Sequence, residues 1–383
     1  MNNYKLPDFC NYVMGQSPSS QFYNSNREGL PFLQGCTTFG RMFPTFDTWT
    51  TQYTRTCKPN DVLMSVRAPV GDLNISRDVI ALGRGVAALS MKQGDNRYLF
   101  YLLMANRQKL SSCSTGTIYE SISKTQLENI VFDVHEPEEQ RHIVDILGSI
   151  DEKIENNERI MDLLIADLRL KYKSTFKNNS NQQVPLSYFI KDTIGGDWGK
   201  EQAGGNFLSK VICIRGTDIP ELSTGRNGNP PTRFILSKNL ETKKLEPWEI
   251  IIEISGGSPT QSTGRCALIT HEMLKQHATP VICTNFCRAI KCKRNEYATY
   301  VFSVLSAMYN DNLFFNYENG TTGIKNLDLI SILEKETVYL PSETELLSFF
   351  QYTENIYRQV EHFKFQNSKL NELKQLYLKK FFG

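Results

Sequence analysis

The chain has 383 residues, with 43 Lys+Arg against 41 Asp+Glu, nine cysteines, a net charge of +2 and a mean hydropathy of −0.37. At about 100–200 residues per domain this is room for two or three cores, and 40% apolar with 11% aromatic residues excludes wholesale disorder. No run approaches about 18 consecutive apolar residues, and Met1–Cys10 lacks a basic-then-apolar leader, so a membrane span and secretion are disfavoured and the odd, scattered cysteines read as reduced thiols of a cytoplasmic protein.

In chain order, the first landmarks are Leu6-Pro-Asp-Phe9 and Gly15-Gln-Ser-Pro-Ser19. They return 180 residues later as Leu186-Ser-Tyr-Phe189 and Gly195-Gly-Asp-Trp-Gly199. Phe32-Leu-Gln-Gly35 is echoed by Cys213-Ile-Arg-Gly216, and Pro59-Asn-Asp-Val-Leu63 by Pro247-Trp-Glu-Ile-Ile251. Gly116-Thr117 pairs with Gly320-Thr321, and Pro137 with Pro341, both at an offset of 204. The offset only grows along the chain, as expected of a duplicated module whose second copy has longer surface loops.

Within each copy, Val62–Val66, Val86–Ser90, Ile250–Ile254 and Val281–Thr284 are short apolar runs bounded by turn residues and read as strands. Arg97–Leu110 and Tyr297–Tyr309 carry apolar residues at helical steps. Each copy then ends in a long helix. From Pro137 to Phe176, Ile143, Leu147, Ile150, Ile154, Met161, Leu164 and Leu168 keep heptad spacing, with Asn157 as the polar member. From Ser342 to Phe382, the seam runs through Leu346, Phe349, Ile356, Val360, Phe363, Leu370, Tyr377 and Phe381, broken by Thr353, Asn367 and Lys374. At 1.5 Å per residue each helix would be roughly 55 Å long. Two such helices can cover each other's stripes as an antiparallel coiled coil; the alternative is that each packs across a globular domain.

No catalytic centre emerges. Asn229-Pro-Pro-Thr232 resembles the tetrapeptide of amino-methylating DNA methyltransferases, but Thr232 stands where an aromatic residue is needed. Gly195–Lys200 is glycine-rich, yet Glu201 replaces the Ser or Thr of a phosphate-binding loop. Cys283, Cys287 and Cys292 with His277 lack CxxC spacing and read as buried thiols, so no metal is expected.

Charge is more informative. Arg27–Lys109 holds eleven Lys/Arg against six Asp/Glu, and Lys200–Arg294 fourteen against eight, whereas the first helix is rich in acids. Two basic modules thus hide inside a near-neutral total. Their polar loops supply side chains suited to phosphates and base edges: Gln34, Thr37 and Arg41, then Arg67, Arg77, Arg84, Thr115 and Thr117 in the first copy. The second copy offers Arg215, Thr217, Ser258, Gln261, Arg265 and Thr321.

Pro137-Glu-Glu-Gln-Arg-His-Ile143, Ile150-Asp-Glu-Lys-Ile-Glu-Asn156, Phe176 at the helix end, and the glycine-led openings at Gly15 and Gly195 together resemble the specificity subunits of type I restriction–modification systems. The second helix departs from that pattern, because Pro341-Ser-Glu-Thr-Glu345 lacks the Glu-Gln of the first. The resemblance implies an α+β fold of two β-rich target recognition domains, 1–137 and 178–340, separated by long antiparallel helices, 138–177 and 341–383, with a pseudo-twofold repeat. It also implies a non-catalytic reader of a split, asymmetric motif in double-stranded DNA. Its partners would be two methyltransferase subunits and, where a nuclease is present, two restriction/translocase subunits. No cofactor would be held by this chain; S-adenosylmethionine, ATP and magnesium would come through the partners. The rival expectations are a coiled-coil scaffold without a DNA role, or an enzyme with an unrecognised site.

Overall fold

In the computed structural model, residues 2–113, 121–177, 182–258, 260–320 and 325–383 are described. The chain divides into two compact units, Met1–Ile154 with Lys369–Gly383, and Glu155–Ser368. Both boundaries fall inside long helices, Pro137–Tyr172 and Glu343–Phe382, so each unit owns a stretch of both.

The first unit centres on a four-stranded antiparallel sheet in the order Cys10–Met14, Val86–Met91, Val62–Ser65, Leu73–Ile75. A second small sheet is built on Leu30–Leu33, which runs parallel to Ala81–Leu82. Asn2–Lys5 pairs with Val131–Val134 just before the first long helix. The all-buried strand Val62–Ser65 packs under helix Asn96–Ala105, whose Tyr98, Phe100 and Tyr101 are almost fully enclosed. Ile143, Val144 and Leu147 from the first long helix and Leu378 and Phe381 from the second close that core.

The second unit repeats the plan. Its antiparallel sheet has the order Ile190–Gly195, Cys287–Cys292, Ile250–Glu253, Cys266–Leu268. Phe207–Ile214 runs parallel to Val281–Cys283, and Gln183–Pro185 pairs with Thr337–Tyr339 ahead of the second long helix. Strand order, strand sense and the parallel pairing all match the first unit, so the expected duplication is a property of the fold. The four predicted strands are present, and the two predicted helices appear as Asn96–Ala105 with Arg107–Ser112, and Asn295–Asn310.

The helices pair antiparallel within each unit. In the first, Asp151 meets Lys374 and His142 meets Phe381; in the second, Asn157 meets Asn367 and Tyr172 meets Phe349. Of the predicted seam residues, Ile143, Leu147, Ile150, Ile154, Asn157, Met161, Leu168, Ile356 and Val360 are buried, while Leu164, Phe363, Asn367 and Leu370 are half-buried. Ile165, Tyr357 and Leu378, each next to a predicted seam position, are buried as well. A straight helix drifts against a strict heptad by about 20° per repeat, so the stripe spreads onto neighbours. Different caps start the two helices. Gln140 donates from Nε2 to the His135 carbonyl (2.8 Å), whereas Ser342 and Glu345 form a reciprocal capping box (3.3 and 2.8 Å). Among the described residues no helix is long and apolar enough to cross a membrane.

Candidate nucleic-acid interface

Several of the polar loops sit at one end of each main sheet, where a short turn joins the parallel-paired strand to the long central one, whereas Arg41 and Arg77 lie near Ile75 at the other end of the first sheet. In the first unit this turn is Gly83-Arg84-Gly85. Gly83 N–H donates to the Leu33 carbonyl (2.8 Å), Gly85 N–H to the Gln34 carbonyl (3.0 Å), and Val66 N–H to the Gly85 carbonyl (2.9 Å). The opening loop closes over it, with Gly15 N–H on the Val86 carbonyl (3.0 Å) and Gln16 N–H on the Leu82 carbonyl (2.9 Å). The approach demands glycine: a Cβ on Gly15 would stand 2.1 Å from the Gly83 carbonyl oxygen.

The second unit builds the same cage 201 residues later around Thr284-Asn285-Phe286. Thr284 N–H donates to the Ile214 carbonyl (2.9 Å) and Ile254 N–H to the Phe286 carbonyl (2.9 Å). Gly196 N–H reaches the Cys287 carbonyl (3.3 Å), and Asp197 N–H the Cys283 carbonyl (2.9 Å). Here a Cβ on Gly196 would lie 2.1 Å from the Thr284 carbonyl oxygen, whereas Gly195 has open space.

Around the first cage, Gln34 and Thr37 are exposed and line a cleft of about 230 Å³ with Tyr23, Phe32, Asp47 and Thr48. Arg84 and Arg67 are exposed, and among the described residues neither side chain has a hydrogen-bond or ion-pair partner. Other predicted arginines are engaged. Arg41 donates to the Asp151 carboxylate (2.9 Å) and the Asp151 carbonyl (3.2 Å), and the Arg77 guanidinium lies 3.8 Å from the centre of the Phe43 ring. Asp151 is itself buried and also accepts from Lys374 (2.8 Å to each oxygen) and from the Tyr101 hydroxyl (2.8 Å). Burial lowers the Lys374 ammonium below its ordinary value despite that carboxylate.

In the second unit Arg215 forks onto Asp218 (3.0 Å twice) and donates to the Asn229 carbonyl (2.8 Å). Burial pushes Asp218 up, but hydrogen bonds from Arg215 and the Asn229 N–H outweigh it and leave the carboxyl below the usual range. The Asn229-Pro-Pro-Thr232 segment is therefore a brace for this pair and leads into strand Thr232–Leu236. Arg265 forks in the same way onto buried Glu253 (2.9 and 2.6 Å). It borders a cavity of about 540 Å³ with Gln261, whose amide donates to the Tyr309 hydroxyl (3.2 Å). Ser258 accepts the Gln261 N–H (3.0 Å) and so shapes its own turn, while Thr217 is exposed. Thr115, Thr117 and Thr321 lie outside the described residues.

Cys283 and Cys287 are buried thiols, and among the described residues no group of His, Cys, Asp and Glu is arranged to hold a metal ion. Asn285 and Phe286, both exposed, stand where Arg84 and Gly85 stand in the first unit. They are absent from the sequence-derived candidates, although the 201-residue offset between the two cages points straight to them.

The described residues thus form a duplicated α+β module, each copy with a main-chain-held turn at one sheet end and a stretch of both long helices paired antiparallel. Residues 1–164 match the family described as type I restriction modification DNA specificity domain. The chain is 39% identical over 145 residues to a curated Methanocaldococcus jannaschii protein described as the MjaX specificity subunit of a type I restriction enzyme, covering 37% of this chain and 34% of that one. The chain thus spans about a third of the length of that relative. The crystal structure of the HsdS subunit from Thermoanaerobacter tengcongensis is 37% identical across 39% of this chain and 37% of its own, with a TM-score of 0.36. The S subunit of a type I restriction–modification system from M. genitalium, 16% identical, shares the fold over 100% of this chain and 96% of its own, with a TM-score of 0.55. The similarity to specificity subunits of type I restriction–modification systems is thus carried by residues 1–164.

Proposed function

We propose that this chain is the sequence-reading, non-catalytic subunit of a type I restriction–modification complex. Each basic module, within 1–137 and 178–340, reads one half of a split, asymmetric motif in double-stranded DNA. The helical segments 138–177 and 341–383 dock two methyltransferase subunits, which bring S-adenosylmethionine; a nuclease pair, where present, brings ATP and magnesium. The observation that carries this reading is the duplicated cage, two copies of one loop-presenting frame in a chain whose first 164 residues match a DNA specificity domain. Docking is supported by apolar side chains left open on the long helices: Leu163, Leu170 and Leu376 are 60–66% exposed.

The test is methylome sequencing of cells carrying the chain with its modification subunits. A split motif is expected, and exchange of 178–340 for another module should alter one half alone. Unpatterned methylation, or change in both halves, would overturn the reading.

A further inference from the structure

We propose that the tip of the caged turn is the base-reading point of each module: Arg84 in the first unit, Asn285 with Phe286 in the second. This deepens the DNA-reading proposal and rests on it. Throughout Ile80–Leu89 every residue is buried except Arg84. A solvent-facing side chain in the middle of a buried ten-residue run needs a reason outside the fold. The main chain beneath it is held by Gly83, Gly85 and the Ser17 hydroxyl, which accepts the Arg84 N–H (3.1 Å). The Cα is therefore fixed while the guanidinium is free. That combination separates Arg84 from Arg41, Arg215 and Arg265, whose heads are committed to carboxylates.

In the second unit the equivalent position, on a turn held through Thr284 and Phe286, presents Asn285, whose amide has no partner among the described residues. The next residue, Phe286, has its N–H on the Thr284 hydroxyl (3.3 Å) and its carbonyl on Ile254 N–H (2.9 Å), yet its ring is 48% exposed. A large apolar ring on a pinned turn surrounded by polar loops is out of place unless something apolar covers it. The chemistry at the two tips differs in a way that base edges distinguish. A guanidinium fork matches O6 and N7 of guanine, a carboxamide matches N6 and N7 of adenine, and a phenyl ring suits a thymine methyl group. The first module thus reads a guanine at this point and the second an adenine, with a neighbouring thymine against Phe286.

The experiment uses the full chain assembled with its modification subunits, and reads the methylated motif of wild type, Arg84→Ala, Asn285→Ala and Phe286→Ala. Arg84→Ala should relax one guanine in one half and leave the other half intact. Asn285→Ala should relax an adenine in the other half, and Phe286→Ala an adjacent thymine. Binding to the wild-type site should weaken about 5- to 150-fold for each bidentate base pairing removed, corresponding to about 1–3 kcal/mol. Should Arg84→Ala abolish methylation, Arg84→Gln decides: a shift from guanine to adenine at that position is expected, and a retained guanine overturns the assignment. Active variants that keep the wild-type motif at every position also overturn it. If the wild-type complex itself shows no split motif, the DNA-reading proposal fails first, so the two failures are distinct.

Discussion

Asp151→Ala removes the one carboxylate that holds Lys374, Arg41 and the Tyr101 hydroxyl together in the first unit. Lys374 and Asp151 are only 9% and 2% exposed at their side chains, so the ammonium left behind cannot be rescued by water without disturbing the helix pair. Breaking a buried pair from one side costs about 3–5 kcal/mol, because the surviving charge stays desolvated. For a unit of this size that corresponds to a fall in Tm of about 10 °C. The double variant Asp151→Leu with Lys374→Met removes both charges at similar volume and should recover most of that loss.

The pH dependence has a definite sign. The Lys374 pKa is lowered on folding, so its destabilising contribution is complete at low pH, where it is protonated in both states. That contribution is relieved as pH rises from its depressed folded value toward 10.5. Without Asp151 the folded value drops further and the relief begins at lower pH. Because the chain has two units, thermal unfolding is paired with hydrogen exchange of Tyr98–Leu103, which reports the first unit alone. A Tm within about 2 °C of wild type and unchanged protection would refute the reasoning, as would a double variant no more stable than Asp151→Ala.

Three further outcomes follow from the geometry. Gly196→Ala should destabilise the second unit by about 1–3 kcal/mol, since its Cβ would meet main chain at 2.1 Å, while Gly195→Ala should be silent in the same thermal melt. Asn157→Ala, which strips partners from Asn367 and Gln366 (2.8 and 3.2 Å), should cost about 1–3 kcal/mol by chemical denaturation, and Asn157→Leu with Asn367→Leu should regain it. Burial pushes the Cys266 thiol up to about 11 and Cys287 to about 12, so both should resist iodoacetamide at pH ~8 in the native chain and react once unfolded, as mass spectrometry would show.

Much of this architecture can be read from local pattern. The recurrence of Leu6 at Leu186 and of Pro59 at Pro247 marks the duplicated sheet because strand and turn signals are short-range. The long helices are legible because a heptad stripe with Asn157 at its polar break persists for about ten turns. What stays hidden is which cations are free. Arg41 and Arg84 look alike in sequence, yet Arg41 finds Asp151, 110 positions away, through tertiary packing that no periodicity encodes. Asn285 escapes for another reason. The offset between copies grows from 188 at Val62 and Ile250 to 201 at Val86 and Cys287, so extra loop length in the second copy moves the equivalent of Arg84 out of simple register.

The caged turn also bears on how such a chain changes over time. Its shape is set by main-chain groups and by glycines on the enclosing loop, and the side chains of Arg84 and Asn285 take no part in it among the described residues. Four main-chain bonds of the frame recur around the arginine of one copy and the asparagine of the other, so they do not depend on which side chain stands at the tip. Mutation can explore this position nearly free of any folding penalty, and the frame behaves as a socket into which evolution fits one side chain after another.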